Sequence, residues 1–295
     1  MRLPALILPA LFLLSIPAPL LAKSKEKKPL CGEIQYPAKG NVNSQEGTFE
    51  AWIRLGMPPD KFNSGGKSAR RMLVPFSILG RTPKKGKKSG PKEPGKLIFK
   101  FSDYKGKFGL RTVLDGDIVS KVAVRSSKFP WTDDKWYHIA LTWKHEGSQY
   151  HLVVYVNGAE CRSTDFKTSP FSISSSDYIR IGKIETNDDD TPADSGGIGS
   201  IDSFRISKTA RTAAEIADAY KNGFKIDDKT LILEKFDKVK AKKSKLRRSN
   251  FAKGKHPETG ATTPEKGPEG KLRGVHKLTD GRDGGKSMKF FILAP

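Results

Sequence analysis

From Thr48 to Phe204 the chain is built of short runs in which hydrophobic and polar positions alternate, separated by turn residues. Thr48–Leu55 sets Phe49, Ala51, Ile53 and Leu55 on one face, the period of a strand buried on one side. Leu97–Ser102 and Lys107–Val113 follow, and Asp115-Gly116 forms a hairpin turn into Ile118–Val124. Trp136–Trp143 and His151–Val156 are two more strands, the second running into Asn157-Gly158, a pair suited to positive φ at both turn positions. Tyr178–Gly182 and Ile201–Ser207 complete the series, and Met72–Leu79 can form a strand inside an otherwise loop-like stretch. Strands at this spacing without helices between them predict an all-β fold, an antiparallel sandwich or barrel.

One helix is legible. Thr212-Ala-Ala-Glu215 has capping-box spacing, Ile216, Ala219 and Tyr220 make one stripe, and Gly223 ends the run. The predicted helix spans 213–222 and is expected against the sandwich edge.

Charge alters this picture only in places. The 295 residues carry a formal net charge of +22. Residues 61–96 hold eleven basic residues and one acidic, and residues 235–255 hold ten and one, so the strand region is near balance. The second stretch leads into a Pro-, Gly- and Lys-rich segment, making 238–285 a basic linker or C-terminal extension. Hydrophobic residues at 36% suffice for one core and exclude a wholly disordered chain.

Met1-Arg2, the apolar run Leu3–Ala22 and the polar Lys23–Lys28 read as a secretory signal over 1–22, followed by a basic linker over 23–32. Pro9, Pro17 and Pro19 oppose a stable spanning helix, although the run has the length of an uncleaved anchor. Removal of the signal leaves no transmembrane segment and places the protein outside the cell or in the envelope or periplasm. There, Cys31 and Cys161 are candidates for a disulfide closing a loop of ~130 residues, worth about 4–5 kcal/mol at most. Two separate thiols are the alternative.

The segments Glu46–Trp52, Lys135–Trp143, Val154–Gly158, Ile181-Gly182 and Ile198–Ser207, followed by the Thr212 helix, stand in an order that resembles the LamG-like jelly-roll family of the concanavalin A-like lectin/glucanase superfamily. The resemblance covers about residues 33–237. It implies a two-sheet antiparallel jelly roll, usually exported or at the cell surface, and it fixes no single ligand. Family members often open with a strand that is missing before Cys31, while Gly284–Leu293 resembles it at the other end. Residues 286–293 are therefore expected to fold back beside Ile201–Ile206 and complete the sheet, with Met288, Phe290 and Ile292 buried. Alternatively they begin a second, incomplete unit.

Hydrolases on this fold need carboxylates at alternate positions of one strand, flanking the scissile bond. Glu46, Thr48 and Glu50 have the spacing but lack the middle acid, and ordinary solvent-facing or turn residues explain them. No Ser or Cys nucleophile motif stands out, and the five histidines lack metal spacing. The chain reads as a non-enzyme. Glu185–Asp194 concentrates oxygen ligands, making Asp188, Asp190 and Asp194 candidates for calcium, with a solvated acidic turn as the alternative. Asp202 is expected to accept backbone or Arg hydrogen bonds at its strand's start. Of the four tryptophans, Trp131, after Pro130, is expected to be exposed as a sugar platform, and the others structural.

Lys84, Lys85, Lys87, Lys88, Lys242, Lys243, Lys245, Arg247 and Arg248 form the candidate polyanion contacts, driven by charge and without base-stacking aromatics for nucleic-acid readout. A solvated lysine tail is the plainer account. These features point to an exported, non-catalytic, lectin-like module that recognises glycans or anionic surface polymers. A structural or protein-interaction module of the envelope is the second reading, and a divergent glycoside hydrolase the third.

Overall fold

The computed structural model describes residues 33–63, 71–80, 95–104, 107–114, 122–186, 199–236, 240–242, 245–247, 271–273, 276–280, 282 and 286–290. In chain order its strands begin with β1 (Glu33–Pro37), β2 (Glu46–Leu55), β3 (Arg71–Leu79), β4 (Gly95–Tyr104), β5 (Lys107–Leu114) and β6 (Val122–Arg125). Then come β7 (Trp136–Glu146), β8 (Gln149–Val156), β9 (Ala159–Lys167), β10 (Tyr178–Thr186), β11 (Gly199–Ser207) and β12 (Thr230–Lys235). Five short strands follow: β13 (Lys240–Lys242), β14 (Lys245–Arg247), β15 (Lys271–Arg273), β16 (His276–Asp280) and β17 (Lys286–Phe290). A 3₁₀ turn spans Pro59–Asn63, and helix α1 spans Ala213–Asn222.

The strands form two sheets, one ordered β13-β14-β15-β1-β10-β3-β4-β5-β6 and the other β16-β17-β11-β2-β7-β8-β9. Every strand pairing among the described residues is antiparallel. The fold is a jelly-roll sandwich. Alternation decides which side chains meet: Phe49, Ala51, Ile53 and Leu55 of β2 all face the core, as the period-two pattern requires. Phe49 stacks on Phe76 of the opposite sheet with centroids 4.6 Å apart, and Phe76 stacks on Trp143 at 6.0 Å. Trp143 fits because position 47 is glycine; a Cβ there would lie 2.2 Å from the indole ring.

Asn157 and Gly158 adopt φ of 52° and 79°, the two left-handed positions expected of this hairpin turn. The turn delivers β9, a strand the sequence conceals because it is exposed on both faces and so shows no alternation. Helix α1 carries both halves of its capping box, with Thr212 Oγ1 accepting from the Glu215 amide at 3.3 Å and Glu215 Oε2 accepting from Thr212 N at 2.9 Å. The helix lies on the outer face of the second sheet instead of at its edge. Ile216 packs on Ala140, Val153 and Tyr155, and Ala219 joins Trp52 and Leu233. Those outward side chains are apolar, so this face needs a cover.

The stretch expected to be a linker contributes β13 to β16, with alternating Lys-Ala-Lys and Lys-Leu-Arg segments pairing along the sheet margin. β12 and β17 share one edge of β11. β12 pairs with Ser203–Ser207 and β17 with Gly199–Ile201, where Ile201 is opposite Met288. Between β16 and β17, the Arg282 amide donates to Asp202 Oδ1 at 2.8 Å, and its guanidinium lies 4.0 Å from the centre of the Trp52 ring. Removing residues 286–295 is expected to lower the melting temperature by about 3 °C or more. Calorimetry of full-length and shortened chains checks this, and an unchanged transition would contradict it.

Candidate functional site

One end of the sandwich opens into a groove of about 420 Å³. Three segments distant in sequence build it. The 3₁₀ turn after β2 is anchored by buried Phe62, whose ring meets Phe108 at 4.7 Å, and this holds Pro59 and Asp60 over one side. Phe108 also stacks on Phe101 at 5.9 Å, so the floor is rigid aromatic core. The β4–β5 hairpin supplies Asp103 and Lys107, and its end is stapled by Arg111, which donates to the Lys107 carbonyl at 2.6 Å and the Ser102 carbonyl at 3.4 Å. The third wall is Arg125, Ser126 and Ser127 at the end of β6.

Gly109 sets how closely β6 approaches. It pairs with Arg125, and a Cβ at 109 would lie 2.4 Å from the Val124 carbonyl oxygen. Ser126 is then fixed by two bonds to the Phe108 carbonyl, from its amide at 2.9 Å and its hydroxyl at 3.2 Å. The same register places Lys107 and Arg125 diagonally on one face of the ladder, ~7–8 Å apart. Both are exposed, and among the described residues neither side chain is engaged in an ion pair or hydrogen bond. Carboxylates, cations and hydroxyls thus surround an aromatic floor, a set that can accept and donate hydrogen bonds to a polyhydroxylated ligand.

A second polar cluster lies beneath α1 and is closed. Glu50 is wholly buried; its Oε2 accepts from Arg205 Nε at 2.8 Å, with Arg205 Nη2 2.7 Å and Arg211 Nε 3.7 Å away. Arg211 grips Asp227 with two parallel bonds of 2.6 and 2.7 Å and donates to Ser207 Oγ at 2.7 Å. Glu46 accepts from the Ala210 amide at 3.2 Å. The expectation of solvent-facing carboxylates is corrected for Glu50: Arg205, delivered by the neighbouring strand, makes its burial tolerable. Burial works against the charge of Asp227, but hydrogen bonds from Arg211 and Thr230 prevail and hold its carboxyl far below the usual range. Glu215 is lowered likewise, with burial outweighed by bonds from Lys229 and the Thr212 amide.

Trp131 is not the exposed platform expected. It is 4% exposed, edge-on to Phe101 at 4.9 Å and Tyr137 at 5.0 Å, and its Nε1 donates to the Val124 carbonyl at 3.4 Å. The turn after Pro130 folds it inward as a plug for the sandwich end. Trp136 is the partly exposed tryptophan, with the Arg54 guanidinium 5.0 Å from its ring centre. Asp202 does accept backbone and hydroxyl hydrogen bonds, from Arg282 N and Ser203 Oγ.

Cys161 is a free thiol on exposed β9, which borders β6; β1 lies toward the opposite margin of its sheet. Cys31, its candidate disulfide partner, lies outside the described residues. Lys242 is on β13, while Lys245 and Arg247 are on β14, where Lys245 stands opposite Lys271. Lys84, Lys85, Lys87, Lys88, Lys243, Arg248, Asp188, Asp190 and Asp194 lie outside the described residues. Among the described residues no group of three or more His, Cys, Asp or Glu side chains is placed to hold a metal, and no helix is long and apolar enough to cross a membrane. The groove residues escaped the sequence reading because no local motif joins them; only Lys107-Phe-Gly109 and Pro58-Pro-Asp60 hint at a turn-built wall.

A family model described as the concanavalin A-like lectin/glucanases superfamily matches residues 32–217, more than half of the chain. Comparison with curated proteins gives no match. Among solved structures, a native heptameric SAP-like pentraxin from Limulus polyphemus is 14% identical with a TM-score of 0.42, covering 68% of this chain and 80% of the pentraxin. The alginate lyase PA1167 from Pseudomonas aeruginosa is 16% identical with a TM-score of 0.37, covering 59% of this chain and 68% of the lyase. The IT-sialidase CBM40 of Ruminococcus gnavus, bound to α2,3-sialyllactose, is 12% identical with a TM-score of 0.39, covering 66% and 95% respectively.

Two outcomes follow from these geometries. Arg205→Met leaves Glu50 buried with its main partner removed and should cost about 3–5 kcal/mol in urea unfolding, against about 1 kcal/mol for Thr212→Ala at the helix cap; equal small losses would contradict the buried pairing. Because Asp227 and Glu215 bind protons less tightly when folded, their contribution is present above about pH 4 and is lost as pH falls below it. Melting temperature measured against pH should therefore show an acid limb that is shallower in Asp227→Asn.

Proposed function

This chain belongs to the concanavalin A-like lectin/glucanase superfamily, and we propose that it is an exported lectin-like module that binds a saccharide in the rim groove without transforming it. The observation that carries the reading is the groove itself, where Asp60, Asp103, Lys107, Arg125, Ser126 and Ser127 surround the edge of Phe108. Sugar hydroxyls donate to carboxylates and accept from cations and serines. The volume falls within the ~300–1,000 Å³ of small-molecule sites. The alternating carboxylates of β2 are already committed, Glu50 to Arg205 and Glu46 to the Ala210 amide, which favours binding over hydrolysis. The pattern of Met1–Ala22 favours export.

A glycan array with the full chain should give hits for a defined saccharide class. Asp60→Ala is expected to weaken them about tenfold by removing a charged acceptor, with an unchanged melting temperature because Asp60 is exposed. A blank array, or hits indifferent to Asp60, would refute the reading. Gly109→Ala should both destabilise the fold by about 1–3 kcal/mol and weaken binding, since its Cβ must displace the β6 backbone. In a secreting host, the exported protein should have the intact mass of a chain lacking residues 1–22; retention of the uncleaved chain would refute export.

A further inference from the structure

We infer that the saccharide held in this groove carries an anionic group, a uronate carboxylate or a sulfate ester, and that Lys107 and Arg125 hold it. The inference rests on the reading of the groove as a saccharide site and specifies its ligand class. Several cations of the surrounding sandwich are already engaged. Lys96 pairs with Asp177, Lys144 with Glu146, Lys229 with Glu215, and Arg205 and Arg211 are consumed under α1. Lys107 and Arg125 line the groove together, and among the described residues their side chains are not engaged.

Their placement follows from the backbone. Gly109 pairs with Arg125, so Lys107, two residues earlier, is on the same face and diagonal to it. Position 109 carries no side chain between them, since a Cβ there would run into β6. A guanidinium beside an ammonium suits a planar carboxylate or a sulfate, the first by parallel N–H bonds and the second as a charge.

The acidic members of the groove narrow the class further. Asp60 and Asp103 would repel a polyphosphate or nucleic acid, whose charges outnumber the hydroxyls it could turn toward the carboxylates. A sugar bearing a single carboxylate or sulfate per residue can turn its anion to Lys107 and Arg125 and its hydroxyls to the aspartates.

Titration calorimetry of the full chain tests this with two matched pairs of probes. One pair is trigalacturonate and its carboxyl-reduced form; the other is a κ-carrageenan tetrasaccharide, with one sulfate per disaccharide, and its desulfated, neutral form. The expected result is that one acidic probe binds at least tenfold tighter than its neutral counterpart. Lys107→Gln and Arg125→Gln should each reduce that preference severalfold and the double variant abolish it, with melting temperatures unchanged and the preference shrinking as salt rises. The pair that responds identifies the anion. Neutral and acidic probes bound equally, or a preference untouched in the double variant, would overturn the anionic assignment while leaving the saccharide reading intact. Binding of none of the four probes, together with a blank glycan array, would remove both.

Discussion

The rings of Phe49, Phe76 and Trp143 stack across the space between the two sheets, and the rest of the molecule depends on the separation they set. Each buried ring contributes roughly 1.5–3 kcal/mol through area removed from water, and each ring pair about 0.5–1.5 kcal/mol more. The contact is possible because Gly47 yields its side-chain volume to Trp143, whose Nε1 then reaches the Asn43 carbonyl at 3.0 Å. With the sheets so spaced, their ends cannot close on themselves. Trp131 plugs one part of an end, and Phe62 on Phe108 props open another. The groove is a consequence of how the sandwich is finished.

The outer face of the second sheet shows the opposite solution. There, apolar side chains on β7 and β8 demand a cover, and α1 supplies it at the cost of burying Glu50. A lone buried carboxylate would be ruinous, so Arg205 and Arg211 arrive with it, and Asp227 occupies the far side of Arg211. Such a chain of paired charges fixes where the helix sits more than it adds to net stability. One face is therefore sealed by paired charge, while the groove presents Lys107 and Arg125 unspent.

Period-two runs announced β2, β5, β7, β8 and β11, because each buries one face and exposes or covers the other in strict turn. The capping box of α1 and the Asn157-Gly158 turn were equally legible, being local chemistry confined to a few residues. Features set by distant neighbours were not. β9 is polar on both faces, Trp131 turns inward only because Phe101 and Tyr137 await it, and the seat of α1 depends on outward side chains of separate strands. Glu50 was visible as one of two acids at alternate positions, but its partner Arg205 lies 155 residues away. The groove had no signature at all, since its walls come from residues 59–60, 103, 107–108 and 125–127 and meet only through register.

The most direct test of saccharide recognition at this rim is to map backbone amide shifts of the isotopically labelled full chain by NMR while titrating the best-binding oligosaccharide. The account predicts saturable shifts centred on Asp60, Asp103, Lys107, Phe108, Arg125, Ser126 and Ser127, with α1 and the Glu50 cluster undisturbed. Shifts centred instead on the outer face around Trp52 and Trp136, or along β9, would contradict it.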